Sequence, residues 1–130
     1  MNLIKSQNGK IFIPASKKKK GSSAYYEFQY CKVKEDRNCS HYTYWAKDSL
    51  LMHIDFDSIF FKFCLPFFQD PISPDKSNTF CCYAPNYYTR ERTAQIIEEL
   101  KASDLTDKDT LITWLSRAVE EYNGFYFLGI

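Results

Sequence analysis

The spacing of apolar residues changes near Thr89, and this change restricts the fold more than any other feature of the sequence. Upstream, aromatic residues recur at every second position, as at Tyr26, Phe28 and Tyr30, which is the period of a strand with one face on a core. Downstream, apolar residues recur at helical spacing in two stretches. The sequence therefore predicts an α+β fold in a single domain, residues 1–130: a mostly antiparallel sheet, two C-terminal helices and a final returning strand.

Turn and capping residues suggest the element boundaries. Asn8-Gly9 between two apolar segments indicates a β-hairpin, and Thr89 is predicted to cap the first helix. Thr106 with Asp109 resembles a capping box, and Asn123-Gly124 is expected to end the second helix. The predicted strands cover residues 3–5, 10–14, 24–33, 41–46, 49–65 (continuous or divided after residue 58), 79–83 and 125–130.

The segment FYFLGI, residues 125–130, is almost entirely apolar. Chain ends are usually polar and frayed unless something holds them in place. We therefore expect this segment to form a buried strand within the sheet, with the second helix packed against that sheet.

Composition excludes several classes of protein. Apolar residues make up 45% of the chain and aromatic residues 18%, so the chain can build a core and disorder throughout is not expected. The most apolar stretch, residues 59–68, is too short to span a bilayer, and no membrane partner is expected. The five cysteines are expected to be reduced thiols, because their number is odd and no apolar secretory segment precedes them. A cytoplasmic location is therefore expected.

Two short motifs contain residue types that occur in catalytic and metal sites. His53, Asp55 and Asp57 would share one face of a strand and could bind a divalent metal, but alternation in a half-buried strand also produces this pattern. Cys39 and His41 are a thiol and an imidazole close in sequence, whereas a nucleophile and its base normally meet in space. We expect no metal, no cofactor and no enzymatic activity.

Charge is unevenly distributed along the chain. The net charge is only +1, but it is +6 over residues 1–37, −1 over 38–90 and −4 over 91–130. Lys17, Lys18, Lys19 and Lys20 form a basic loop that could hold the phosphates of a nucleic acid or be a solvated loop. At the acidic end, the carboxylates could belong to solvated helix faces, with Asp107 and Asp109 favouring a helix N-terminus, or could form a docking surface for a basic partner. For the partner-binding surface we select four of them: Glu98, Asp104, Asp107 and Asp109.

The segment WLSRAVEEYNGFYFLGI, residues 114–130, resembles the C-terminal ends of small bacterial immunity proteins of contact-dependent growth inhibition and related polymorphic toxin systems. The resemblance implies a cytoplasmic protein that binds and neutralises a cognate toxin domain, and many such toxins are basic nucleases. It assigns no functional residues. The alternative is a small nucleic-acid-binding module that uses the Lys17–Lys20 loop, although nucleic acid is the less favoured partner because the net charge is close to zero.

Overall fold

The structure, a computed structural model, describes residues 10–18 and 24–129. These residues form a five-stranded sheet and three α-helices, which confirms the predicted α+β class. The elements in chain order are β1 (Phe12–Pro14), β2 (Tyr25–Tyr30), β3 (Leu50–His53), α1 (Asp57–Cys64), β4 (Pro85–Tyr88), α2 (Arg90–Lys101), α3 (Lys108–Glu120) and β5 (Phe125–Leu128), with short 3-10 turns at Ala15–Lys17, Ile54–Phe56 and Leu65–Phe68.

The strands are arranged in the order β1-β3-β2-β5-β4, and every neighbouring pair is antiparallel. The predicted final strand is confirmed: β5 lies between β2 and β4, and all four of its residues are buried. Its position explains its apolar composition, because a strand with neighbours on both edges and cover on both faces has little contact with water.

The main core lies between one face of the sheet and the helices, and large aromatic rings fill it. Phe127 in β5 is at its centre. The Phe127 ring centroid is 5.2 Å from that of Phe28 and 6.1 Å from that of Phe60 on α1. Edge-to-face and offset contacts of this kind add to the free energy gained by removing the rings from water.

Two residues next to the C-terminal helices mark their boundaries: Thr89 before α2 and Gly124 after α3. The predicted cap is confirmed at Thr89, whose Oγ1 accepts a hydrogen bond from the Arg92 backbone N–H at 3.1 Å. After α3, Gly124 has a φ of 90°, and a Cβ there would lie 2.0 Å from the Tyr88 carbonyl oxygen, so only glycine fits this turn.

Within the described residues, no helix is long and apolar enough to cross a bilayer.

Three strand predictions are wrong. Residues 41–46 are irregular, because side chains of β2 bind their backbone groups in place of a neighbouring strand. The run from Asp57 to Cys64 is helix α1, whose buried residues Phe60 and Cys64 are one turn apart. Residues 79–83 form a loop, and the strand is β4 instead. The predicted strand 3–5 and the Asn8-Gly9 turn lie outside the described residues.

The predicted capping box before α3 is also wrong. The residue at the N-cap is Asp107 rather than Thr106, and Asp107 has a left-handed backbone with a φ of 63°. Aspartate tolerates this conformation better than most residues. Its side chain makes no capping hydrogen bond to the helix.

Removing the central ring of the core should strongly destabilise the protein. Since Phe→Ala substitutions in cores cost about 3–5 kcal/mol, we expect Phe127→Ala to lower the free energy of unfolding by that amount in urea denaturation. Tyr83→Ala is the control, because Tyr83 is 76% exposed and exposed substitutions usually change stability by no more than about 0.5 kcal/mol. Similar midpoints for the two variants would contradict the central role of β5.

Candidate functional site

Three of the four predicted partner-binding carboxylates are at the surface. Asp104 in the α2–α3 connection and Asp109 in the first turn of α3 are exposed. Glu98 on α2 is also exposed, but its Oε2 is 3.0 Å from the Lys101 Nζ, which offsets part of its charge. These residues remain candidates for contact with a basic partner.

Asp107, the fourth of these carboxylates, is inside the protein. Its side chain is 4% exposed. Its Oδ2 accepts hydrogen bonds from the backbone N–H groups of Ile11 and Phe12, at 3.0 and 3.1 Å, and its Oδ1 accepts one from the Thr110 hydroxyl at 2.6 Å. Asp107 therefore attaches the start of β1 to the N-terminus of α3. No pattern in the sequence indicates that Asp107 accepts hydrogen bonds from the backbone N–H groups of Ile11 and Phe12, which lie 96 and 95 residues away.

The basic loop is only partly described. Lys17 is exposed at the end of a 3-10 turn, and the Lys18 Nζ lies 4.7 Å from the centroid of the Trp45 ring. Lys19 and Lys20 lie outside the described residues. The described part of the loop thus places one cation on the face of a tryptophan.

An exposed aromatic surface, missed in the sequence analysis, lies beside Lys18. We call residues 42–45 the aromatic loop. Tyr44 is 50% exposed and Trp45 39% exposed, whereas Tyr42 is half-buried against Tyr126. The rings pack on one another, with centroids 5.9 Å apart for Tyr42 and Tyr44 and 6.5 Å apart for Tyr44 and Trp45. The sequence predicts a strand at residues 41–46 and gives no indication that these rings are exposed.

Trp45 has a strained backbone. Its φ is 66°, in the left-handed region, where a bulky residue is an outlier. The buried carboxylate of Glu27 on β2 holds it there by accepting hydrogen bonds from the backbone N–H of Trp45 at 2.8 Å and of Ala46 at 3.1 Å. Glu27 also accepts one from the Ser49 hydroxyl at 2.6 Å. Strain of this kind persists only where surrounding structure imposes it, and it is common at functional sites.

Gln29 holds the backbone of Thr43, two residues before Trp45 in the aromatic loop. Its Oε1 accepts a hydrogen bond from the Thr43 N–H at 2.9 Å, and its Nε2 donates to the Thr43 carbonyl and to Glu27. Further along, the Trp114 indole N–H on α3 donates to the Asp48 carbonyl at 2.9 Å. The aromatic loop is therefore tied to the sheet, and the residues that follow it are tied to α3, although neither has regular secondary structure.

A second buried carboxylate, Asp36, organises the segment before the aromatic loop. It accepts hydrogen bonds from the Tyr126 hydroxyl at 2.6 Å and from the backbone N–H groups of Ser40 and His41, at 2.9 and 2.8 Å. Desolvation alone would raise the pKa of Asp36, but these hydrogen bonds outweigh it and the pKa lies below its usual value.

The Cys39–His41 motif does not form a nucleophile and its base. Cys39 is buried, and its burial, followed by the nearby charge of Asp36, raises the pKa of the thiol to about 12. The thiol therefore stays protonated near neutral pH, and the thiolate is the reactive form. The His41 Nδ1 lies 3.4 Å from the Asp36 Oδ1 instead.

The expected shared face of His53, Asp55 and Asp57 is wrong, because β3 ends at His53 and a 3-10 turn follows. The His53 Nδ1 accepts a hydrogen bond from the Asp55 N–H at 3.1 Å, and Asp57 accepts one from the Tyr26 hydroxyl at 3.5 Å. Among the described residues, no group of three or more His, Cys, Asp or Glu is placed to hold a metal ion.

Comparisons with known proteins add no relative: the chain matches no family model, no curated protein and no solved structure. The candidate site therefore rests on the geometry of this chain alone.

The buried position of Asp107 can be tested against its exposed neighbour Asp109. A buried donor left without its acceptor costs about 1–3 kcal/mol, and Asp107→Ala leaves two such donors. We expect this variant to lose about 2 kcal/mol or more of unfolding free energy, and Asp109→Ala to lose less than about 1 kcal/mol, the usual value of a charge at a helix N-terminus. Equal losses in chemical denaturation would contradict the structural role of Asp107.

The lowered pKa of Asp36 predicts a pH-dependent contribution to stability. Since the ionised form is favoured in the folded state, the contribution is fully present above the usual pKa of 3.8 and is lost as pH falls through the lower folded-state value. We therefore expect the stability difference between the wild type and Asp36→Asn to be constant near neutral pH and to shrink below about pH 4. Urea denaturation across pH 2–7 measures it, and a difference that grows with acidification would overturn the assignment.

Proposed function

We propose that this protein is an immunity protein that binds and neutralises a cognate toxin domain in the cytoplasm, without catalysis of its own. The proposal combines the resemblance of residues 114–130 with one structural observation. That observation is the exposed pair Tyr44 and Trp45, presented on a loop whose backbone is held by Glu27 and Gln29.

Exposed aromatic residues on a fixed backbone suit protein recognition. Tyrosine and tryptophan are enriched among the few residues that dominate binding energy at interfaces. A loop that is already ordered loses little conformational entropy when a partner binds, so more of the contact energy appears as affinity. An inhibitor needs a stable scaffold and such a surface, and it needs no active site.

The exposed carboxylates supply a second element of the proposal. Glu98, Asp104 and Asp109 would attract a basic toxin domain over a distance, which raises the association rate more than the affinity. Asp107 is better assigned to the fold than to this surface, because its carboxylate is already engaged by backbone donors.

A nucleic-acid-binding module is the second candidate function. The observation in its favour is the Lys18 ammonium over Trp45, which places a cation that could contact phosphate beside a ring that could stack on a base. The Lys17–Lys20 loop would supply further charge, as the sequence suggested.

Co-expression with candidate toxin domains tests the proposal. Wild-type protein should restore growth of cells that express the cognate toxin, and the double variant Tyr44→Ala/Trp45→Asn should not. Asparagine is chosen because it tolerates the left-handed backbone and keeps the N–H that binds Glu27. Since a hot-spot residue contributes about 2 kcal/mol or more, affinity for the toxin domain should fall at least about 30-fold by calorimetry.

Tyr83→Ala is the matched control, because Tyr83 is an exposed aromatic residue outside the aromatic loop. It should protect cells as well as the wild type. Full protection by the double variant would contradict a binding role for the aromatic loop. Selective capture of RNA or DNA in place of a protein would favour the second candidate.

A further inference from the structure

The exposed charged residues around the aromatic loop are lysines, whereas the predicted partner-binding residues Glu98, Asp104 and Asp109 are acidic. The Lys18 Nζ lies over the Trp45 ring, and Lys17 and Lys47 are exposed close to these two residues in the chain. We call Lys18, Tyr44 and Trp45 the lysine–aromatic surface. It combines exposed apolar area with a cation that lies over an aromatic ring.

We propose that the lysine–aromatic surface binds an acidic segment of the partner protein, with a carboxylate on Lys18 and an apolar side chain against Tyr44 and Trp45. The inference rests on the proposed function, because it specifies the partner's chemistry at the surface that the immunity proposal uses.

Lys18 is well placed for a carboxylate. Its contact with Trp45 limits the freedom of a side chain that normally loses much rotamer entropy when it forms an ion pair. Only part of the ammonium can face the ring, so its other N–H groups can donate to an incoming carboxylate. Contact with the partner would exclude water around this pair and strengthen the charge-assisted hydrogen bonds.

The ring geometry favours a protein segment over a nucleic acid. Single-stranded nucleic acids bind by stacking successive bases on open aromatic faces. Here the Tyr42 and Tyr44 rings meet at 88°, and Lys18 covers the face of Trp45 on its own side. The net charge of +1 also gives no overall attraction to a polyanion. A peptide needs only apolar contact with the ring edges and one carboxylate for Lys18.

Two surfaces of opposite charge define the expected partner more closely, because it then needs both a basic region and an acidic region. Glu98, Asp104 and Asp109 would face basic residues of the toxin domain, and the lysine–aromatic surface would face an acidic segment of it. Opposite charges at two places fix the orientation of a complex, because a rotated arrangement brings like charges together.

Nuclear magnetic resonance of the intact protein tests the inference without any toxin. The two indole N–H signals provide an internal comparison, since Trp45 is in the proposed surface and Trp114 is buried and hydrogen-bonded to Asp48. The probes are a short unstructured peptide of glutamate, leucine and glycine, the same peptide with lysine in place of glutamate, and an oligothymidylate of similar length. The acidic peptide should shift the Trp45 signal and leave that of Trp114 unchanged, and high salt should weaken the effect.

Lys18→Gln should weaken binding of the acidic peptide about five-fold, which corresponds to about 1 kcal/mol. Lys62→Gln is the matched control, because the Lys62 Nζ also lies over an aromatic ring, 5.4 Å from the centroid of Phe63, and it should bind the peptide like the wild type.

Failure of the acidic peptide to shift Trp45, or equal shifts from the acidic and basic peptides, would overturn the inference. Binding of oligothymidylate that depends on Lys18 would assign the surface to nucleic acid instead. Because no toxin is present, these outcomes are distinct from a failure to protect cells in the co-expression experiment, which tests the immunity proposal itself.

Discussion

The carboxylate of Glu27 lies on the central strand β2, is 1% exposed, and accepts hydrogen bonds from Gln29, Trp45, Ala46 and Ser49. Burying a charge without partners would cost far more than one domain can offset, so this position is stable only with its full set of donors. The dependence is mutual, because the backbone N–H groups of residues 45 and 46 are bound by Glu27 rather than by another strand. One buried carboxyl group thus allows an irregular segment to cover the face of the sheet opposite the helices, and it holds the exposed Tyr44 and Trp45 in one arrangement.

The same solution recurs where other irregular segments meet the sheet. Asp36 binds the turn before the aromatic loop, and Asp107 binds the start of β1. Asn86 on β4 accepts a hydrogen bond from the Cys81 N–H and donates to the Phe127 carbonyl on β5. The two faces of the sheet therefore differ in composition. The aromatic core fills the face under the helices, whereas the opposite face combines a smaller apolar cluster around Tyr87 and Tyr126 with buried polar side chains that satisfy loop backbone groups.

This division explains which features could be predicted from the sequence. The helices α2 and α3, the cap at Thr89 and the final strand β5 depend on local periodicity and on residues close in sequence. The sequence predicts a strand at the aromatic loop because its residues favour strands locally, but the backbone N–H groups of Thr43 and Trp45 are bound by the side chains of Gln29 and Glu27, which lie 14 and 18 residues upstream. The run at α1 has no clear period, so helix and strand cannot be separated there. At the site, the sequence located the lysines and the acidic end, but it showed neither that Asp107 is internal nor that Lys18 meets Trp45.

At residue 45, the stability of the fold and the proposed binding role favour different residues. A glycine there would relieve the strain of a left-handed backbone, since glycine adopts a φ of 66° without a steric penalty. Tryptophan keeps the strain and leaves a large ring 39% exposed, which stability alone does not favour. The hydrogen bonds of Glu27 supply the free energy that keeps this residue in place before any partner arrives. The strain is thus compensated during folding rather than during association, so the surface proposed for binding is already formed before any partner contacts it.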